Sequence, residues 1–263
     1  MKSALIAGII VTAFFTGAAQ GGAWPQPEGQ LLVIATSGRK VAPISSLFSG
    51  VPEEDSNTAQ LFAEYGLLPE LTLGLTAYGE FSTTDDVVEA RIGAHVRHLL
   101  WQGDDGDVMS VQAGVSFPVE RWLGNGLGDN RPDSASEVDL RVQYGRGVQW
   151  DWGDSFVSGA AGLRIRGEGL DEELKADITL GHTPTNGVLG LFSVFASVPL
   201  GERESPTFKL APSIAYTFWP ILGSNDKKPE GPLYPSTIQL GVLWDAANPD
   251  DGLTVQVSVW KRF

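Results

Sequence analysis

Hydrophobic and polar residues alternate one by one along most of this chain. In residues 109–117, for example, Met109 and Val111 occupy one set of positions, while Ser110 and Gln112 occupy the other. Successive side chains of a β-strand point to opposite faces, so this period predicts strands with one apolar and one polar face. The same alternation recurs in residues 60–67, 71–81, 88–97, 138–144, 157–166, 174–180, 192–198, 208–218, 238–244 and 253–259.

A weaker first strand is predicted at residues 30–36, where residues 31–34 are apolar throughout. With it, the chain has about twelve strands of about ten residues, the length with which a tilted strand crosses a bilayer. No helical period competes with the alternation. Outside residues 1–20, no apolar run approaches the about 20 residues of a membrane-spanning helix.

The residue types on the two faces indicate which face would meet lipid. The polar face carries mostly Gly, Ala, Ser, Thr and Gln, whereas the apolar face has no charge in mid-strand; His98 and Lys261 lie near strand ends. A soluble barrel buries its apolar face, but a membrane barrel turns that face outward and tolerates no mid-strand charge on it. Aromatic residues also gather at strand ends, as in interfacial girdles: Trp101, Trp150, Trp152, Phe218, Trp219, Trp244 and Trp260.

Both ends of the chain suit an exported barrel. Lys2, the apolar residues 4–15 and the small residues 17–19 are typical of a signal peptide at residues 1–19, with a cut after residue 23 as the alternative. An N-terminal membrane anchor is the other interpretation. The last strand ends in Phe263, which resembles the signal by which the barrel assembly machinery recognises bacterial outer-membrane barrels. Residues 20–263 are therefore predicted to form an all-β, transmembrane, antiparallel up-and-down barrel of about 12 strands in the lipid of the outer membrane.

The lengths of the connections test this topology. If both termini are periplasmic, connections after even-numbered strands should be short and those after odd-numbered strands longer. Residues 68–70, 102–107, 151–154 and 183–187 form short connections, and residues 37–57 and 120–136 form long ones. Residues 220–236 disagree, because they would form a long periplasmic connection. Either this connection is an exception, or the strand count is wrong by an even number.

Composition excludes some classes of function. The net charge of −14 disfavours nucleic acid as a partner, since binding it requires a basic face. The chain has no cysteine and therefore no disulfide framework. Its three histidines are His95, His98 and His182, and no Ser, His and carboxylate stand at a spacing that marks a triad. We expect no enzyme activity, no cofactor and no metal; an integral-membrane hydrolase is kept as a remote alternative.

The alternation predicts which charged residues line the lumen. The inward basic residues number seven and the inward acidic residues six, so the lumen should be nearly neutral; the acidic ones include Asp139 and Asp245. A basic wall could face an acidic one and select charged or sugar-like solutes. Alternatively, a salt-bridge network could fill the barrel. The lumen-lining candidates are Glu64, Glu80, Glu89, Arg91, His95, Arg97, Arg141, Arg164, Arg166, Lys175, Asp177 and Lys209.

Two short motifs resemble a group of proteobacterial outer-membrane barrels. Residues 22–30, Gly-Ala-Trp-Pro-Gln-Pro-Glu-Gly-Gln, resemble its Gly-Ala-Trp-Thr-x-Pro-x-Gly opening, with Pro25 in place of Thr. Residues 63–67 and 71–74 resemble its Glu-Tyr-Gly-Leu hairpin. The resemblance implies a transporter or an accessory of exopolysaccharide or holdfast production. We therefore expect a narrow channel or export accessory for small or polymeric, saccharide-like solutes, with a non-conducting structural or surface-interaction barrel as the alternative.

Overall fold

The computed structural model describes residues 22–41, 56–82, 88–119, 135–167, 169–184, 187–202, 204–218, 235–249 and 252–263, without the side chains of residues 82, 88 and 89. The predicted signal peptide at residues 1–19 and the predicted girdle residue Trp219 lie outside the described residues. So do most of the predicted connections at 37–57, 120–136 and 220–236.

The described residues form twelve strands that close into one antiparallel barrel. Each strand pairs with its neighbours in the sequence, and β1 pairs with β12. The predicted fold class and strand number are confirmed. The strands are β1 (Leu31–Val41), β2 (Ser56–Leu68), β3 (Leu71–Ser82), β4 (Val88–Gln102), β5 (Val108–Pro118), β6 (Glu137–Trp150), β7 (Gly153–Arg166), β8 (Glu173–Pro184), β9 (Val188–Pro199), β10 (Thr207–Phe218), β11 (Ser236–Asp245) and β12 (Leu253–Arg262).

The two chain ends meet at the seam of the barrel. The backbone N–H of Phe263 donates to the carbonyl of Leu31 at 2.9 Å, and the N–H of Leu31 donates to the carbonyl of Phe263 at 3.1 Å. Closure pairs the edges of the sheet, which in lipid would otherwise leave unpaired N–H and C=O groups. The end of the barrel at this seam is termed the terminal end, and the opposite end the loop end.

The barrel is apolar outside and polar inside. Leu75, Ile214 and Leu240 on the outward face are 63%, 62% and 59% exposed, whereas Glu64 and Arg97 on the inward face are 1% and 0% exposed. This is the reverse of a soluble barrel, and it is the arrangement of a barrel whose outer surface contacts lipid. The described residues contain no helix that could span a membrane.

The first strand is longer than the sequence predicted. It runs to Val41, so residues 37–41 belong to β1 and not to the connection predicted at 37–57. The apolar run at residues 31–34 arises because Leu32 and Ile34 are buried inside the terminal end, while Leu31 and Val33 lie on the outward face. Because both faces of the strand are apolar at this point, apolar and polar residues do not alternate there.

The connection between β10 and β11 is an exception to the rule that terminal-end connections are short. Phe218 pairs with Ser236, so residues 219–235 connect the two strands at the terminal end. The strand count is therefore right, and this one long connection lies at the same end as the short turns.

Trp260 was predicted in the outward aromatic girdle, and this prediction is wrong. The even-numbered residues of β12 turn inward, and Trp260 is only 6% exposed. Its position near the strand end suited a girdle, but its parity places it in the lumen. Trp101, Trp150, Trp152 and Trp244, by contrast, are 36% to 61% exposed at strand ends or in the adjoining turn.

Candidate functional site in the barrel lumen

The lumen contains adjoining cavities above the terminal end. Three of them have volumes of about 560, 590 and 500 Å³. Gln60 lines all three, Lys209 lines the first and second, and Arg141 lines the second and third. The shared lining residues show that the cavities adjoin one another.

One wall of the lumen carries paired charges from β4 to β8, here termed the charged sector. Arg91 Nη2 lies 3.3 Å from Glu137 Oε1, and Arg164 Nη1 lies 3.5 Å from Glu173 Oε2. Arg91 and Arg164 therefore each pair with a carboxylate of a nearby strand. The sector comprises Arg91, Glu137, Asp139, Arg141, Arg164, Arg166, Glu173, Lys175 and Asp177.

The centre of the charged sector contains several ion pairs that share their charged groups. Arg141 donates from Nη1 to Asp177 Oδ2 at 2.7 Å and from Nη2 to Asp139 Oδ2 at 3.1 Å. Lys175 Nζ lies 3.9 Å from Asp139 Oδ2. Nearer the loop end, Arg166 Nη1 lies 3.2 Å from Glu173 Oε1, and Arg166 also pairs with Glu204. These contacts match the salt-bridge alternative for this wall, because the arginines pair with carboxylates along their own wall.

The opposite wall is uncharged over most of its height and is termed the neutral sector. Its hydroxyl and amide groups bond to one another: Gln239 Nε2 donates to Ser213 Oγ at 2.6 Å, and the hydroxyls of Thr36 and Ser258 lie 2.8 Å apart. Lys209 also lies on this wall, and its backbone is opposite that of Asp245 in the ladder between β10 and β11. The sector comprises Thr36, Ser193, Ser197, Ser213, Gln239, Gln256 and Ser258.

A buried charged cluster lies lower in the lumen, towards the terminal end. Arg97 Nη2 donates to Glu64 Oε2 at 2.8 Å, and His95 Nε2 lies 3.0 Å from Glu64 Oε1. Gln26 Nε2 donates to Glu64 Oε2 at 2.9 Å, and the backbone N–H of Gln26 donates to Thr72 Oγ1, also at 2.9 Å. Glu64 therefore holds a residue that precedes the first strand.

Residues 22–30, the N-terminal segment, enter the lumen through a tight turn. Gln30 N donates to the carbonyl of Pro27 at 3.0 Å, and Gly29 has a φ of 77°, which a residue without Cβ adopts most easily. A Cβ on Gly66 would lie 2.1 Å from the carbonyl oxygen of Pro27. Gly66 therefore allows β2 to contact the turn directly.

Trp24 is the residue of the N-terminal segment that contacts β6 and β7. Its ring packs edge-on against Phe156 of β7, with 6.1 Å between the ring centroids. A Cβ on Gly145 of β6 would lie 2.6 Å from the same indole ring. The segment thus reaches from β2 and β3, where Gln26 is bound, to β6 and β7.

Apolar side chains form a packed cluster at the same level of the lumen. They come from β1, β9, β10 and β12, and Phe62 and Phe156 pack against them. The terminal end of the lumen is therefore packed, in contrast to the polar space above it. The buried members are Leu32, Ile34, Leu189, Leu191, Ala215 and Trp260.

The predicted lumen candidates thus fall into separate groups. Glu64, His95 and Arg97 form the buried cluster, and six others belong to the charged sector: Arg91, Arg141, Arg164, Arg166, Lys175 and Asp177. Glu80 accepts a hydrogen bond from Tyr78 Oη at 2.9 Å. The side chain of Glu89 lies outside the described residues.

Several residues of the lumen were not predicted from the sequence, among them Glu137, Glu173, Trp24 and Gln26. Glu137 and Glu173 begin β6 and β8, just before the alternation becomes regular, and so were not counted among the inward charges. Trp24 and Gln26 lie in a segment without any period. Their signal was the motif itself: a large aromatic residue and an amide among prolines, next to the first strand.

An aromatic cluster at the terminal end faces outward. Trp152 contacts His182, with 4.2 Å between the ring centroids, and His182 Nδ1 lies 2.9 Å from Ser155 Oγ. Among the described residues, the hydrogen-bonding and ring contacts of His182 are with these two side chains, and no carboxylate orients the ring. The pair therefore lacks the third group of a triad and suits an interfacial girdle.

No protein-family model and no curated protein matches the sequence. Solved structures do match. An outer membrane channel from Pseudomonas putida F1 has a TM-score of 0.56 and 13% identity, over 94% of this chain and 100% of that one. KdgM porin has a TM-score of 0.48 and 10% identity, over 88% and 99%. The translocator domain of the autotransporter NalP from Neisseria meningitidis has a TM-score of 0.45 and 12% identity, over 99% and 95%.

The first of these likenesses shows that the chain has the fold of an outer-membrane barrel. The apolar outward face and the closed hydrogen-bonded wall agree with it. The chain is therefore a barrel of the bacterial outer membrane, as the residue types of the two strand faces and the two chain ends predicted.

Proposed function

We propose that this barrel is a channel for small hydrophilic solutes that are neutral or carry balanced charges, with saccharides as the best fit. The observation that carries the proposal is the set of adjoining lumen cavities, with paired charges on one wall and hydroxyl and amide groups on the other. A channel must offer hydrogen bonds that a solute can exchange, without binding it so tightly that it cannot leave.

The charges favour neutral solutes over ions of one sign. The charged sector contains the basic residues Arg91, Arg141, Arg164, Arg166 and Lys175 and the acidic residues Glu137, Asp139, Glu173 and Asp177. Because these charges nearly balance and are paired, the potential along the lumen is small. Hydroxyl-rich solutes find donors and acceptors in the neutral sector, and the aromatic rings of Tyr78 and Phe195 offer flat apolar faces.

Two related functions follow from the same lumen. A polymeric saccharide could pass only in extended form, which would make the barrel an export accessory. A non-conducting structural barrel is the second candidate, and it is favoured by the apolar packing at the terminal end. All three are non-enzymatic, and each relies on the assembly machinery, for which we propose Phe263 as the recognised residue.

Single-channel conductance in a planar bilayer tests the proposal. We expect steady openings with weak ion selectivity. The guanidinium of Arg164 lies 3.5 to 3.7 Å from the carboxylates of Glu137, Asp139 and Glu173. Arg164→Ala removes this positive charge, so the reversal potential in a salt gradient should shift towards cation preference. Glu173→Gln removes a negative charge and should shift it in the opposite direction.

Arg146→Ala is the matched control, since Arg146 lies on the outward face, 48% exposed, and pairs with Asp107. Its reversal potential should equal that of the unchanged protein. A folded, heat-modifiable barrel that never conducts and admits no sugar in liposome swelling would exclude the channel and leave the structural barrel.

A further inference from the structure

We infer that the N-terminal segment is the constriction of the proposed channel, and that Trp24 and Gln26 determine which solutes pass it. The inference rests on the proposed channel function. It assigns to residues 22–30 a role in the lumen beyond their place before the first strand.

The position of the segment supports this role. It crosses the lumen from Thr72 and Glu64 on one side to Phe156 on the other. The wide cavities lie on its loop-end side, and Gly22 lines the first of them. Buried apolar side chains of β1, β9, β10 and β12 pack together at the same level, so a solute that moves through the barrel would pass between them and the segment.

The segment is held by few bonds. Pro25 and Pro27 have no backbone N–H to donate. Gln26 is held through its side chain by Glu64 and through its backbone by the Thr72 hydroxyl. The segment returns to the wall where Gly29 N donates to the Gly66 carbonyl at 2.8 Å. The strands, by contrast, are held by continuous ladders, so residues 22–26 can shift while the barrel stays closed.

The contacts among Glu64, Arg97 and His95 do not depend on Gln26. When the Gln26 amide leaves, Glu64 still accepts from Arg97 at 2.8 Å and keeps His95 at 3.0 Å. The charge of Glu64 therefore stays compensated, and the free energy lost is about that of one hydrogen bond to a charged group. The neutral amide of Gln26 can therefore leave Glu64, while the ion pair between Glu64 and Arg97 stays in place.

Four variants of the barrel purified from outer membranes test the inference. Trp24→Ala and Gln26→Ala should raise the single-channel conductance several-fold and admit larger sugars in liposome swelling. Trp152→Ala and Arg146→Ala each remove an outward side chain, and both should leave the size limit unchanged. Heat-modifiability on gels confirms that each variant is folded.

A reversible lock provides a second measurement. Because the chain has no cysteine, Gln26→Cys with Thr72→Cys introduces two thiols on residues that are neighbours through the bond from the Gln26 backbone N–H to the Thr72 hydroxyl. The oxidised pair should conduct as little as the unchanged protein, and reduction should raise the conductance. If Trp24→Ala and Gln26→Ala conduct like the unchanged protein, the constriction lies elsewhere and the inference fails while the channel stands. If neither the unchanged protein nor any variant conducts or admits sugars, the proposed function itself fails.

Discussion

Glu64 and Arg97 form an ion pair that is almost completely removed from water. Their side chains are 1% and 0% exposed, and 2.8 Å separates the bonded atoms. Transferring two charges from water is costly, and the pair recovers this cost only through close geometry and further hydrogen bonds. Glu64 obtains these further bonds from His95 and Gln26. Because the pair links β2 to β4 across β3, it stabilises the wall to which the N-terminal segment is bound.

Glu64→Ala should destabilise the barrel strongly, because it leaves the Arg97 guanidinium buried without a counter-charge. We expect a loss of about 3–5 kcal/mol, measured by denaturant unfolding in detergent micelles. Glu204→Ala is the control, since Glu204 pairs with Arg166 near the loop end and its side chain is 28% exposed. Its loss should be about 1 kcal/mol or less. Equal losses for the two variants would show that the fully buried pair contributes no more than the partly exposed pair of Glu204 and Arg166.

At the scale of residues, the sequence predicted the face of a side chain but not its partners. Alternation places Glu64, Arg97 and Arg164 in the lumen because parity along a strand decides the face. It does not give the height of a residue in the barrel, which depends on the register between strands. The bond between Glu64 and Gln26, and the carboxylates around Arg164, could therefore not be predicted. Trp260 shows the same limit, since its distance from the strand end suggested a girdle while its parity placed it inside.

The turn of the N-terminal segment contacts β2 at a glycine. The segment has no ladder of its own, and its turn lies against Gly66, where any Cβ would meet the Pro27 carbonyl oxygen at 2.1 Å. Because that oxygen belongs to the backbone, the contact can be relieved only if the segment or the strand shifts. The motifs at residues 22–30 and 63–67, which are separate in the sequence, are thus in direct contact.

Gly66→Ala should displace the N-terminal segment while the strands stay paired. We expect a higher conductance than in the unchanged protein and faster cleavage within residues 22–30 by a protease added to the purified barrel. Gly190→Ala in β9 is the matched control, because the nearest atom to its Cβ would be 3.9 Å away. It should change neither measurement. Unchanged conductance and unchanged proteolysis in Gly66→Ala would contradict a releasable segment.

At the scale of elements, strands were predictable wherever one face is apolar and the other polar. The prediction was weakest for β1, because Leu32 and Ile34 face the apolar packing inside while Leu31 and Val33 face outward. It did not extend to residues 22–30, because a segment without a repeating pattern leaves no period to detect. The long connection between β10 and β11 broke the expected alternation of lengths, yet the count of twelve strands was correct.

At the scale of the whole molecule, the barrel has its apolar face outside and its polar face around an aqueous lumen. Neighbouring residues of one strand should therefore meet opposite environments. Ser213 lines the largely neutral wall of the lumen, and the next residue, Ile214, is 62% exposed on the outward face. In a membrane the first side chain should meet water and the second should meet hydrocarbon.

Thiol labelling of these two positions is the most direct test of this arrangement. The chain has no cysteine, so Ser213→Cys and Ile214→Cys each introduce a single thiol. Both variants would be placed in lipid vesicles and treated with a small, water-soluble, membrane-impermeant thiol reagent. Rapid labelling of Ser213→Cys with protection of Ile214→Cys is the expected result. Protection of Ser213→Cys with labelling of Ile214→Cys would contradict both the orientation of the barrel and its aqueous lumen.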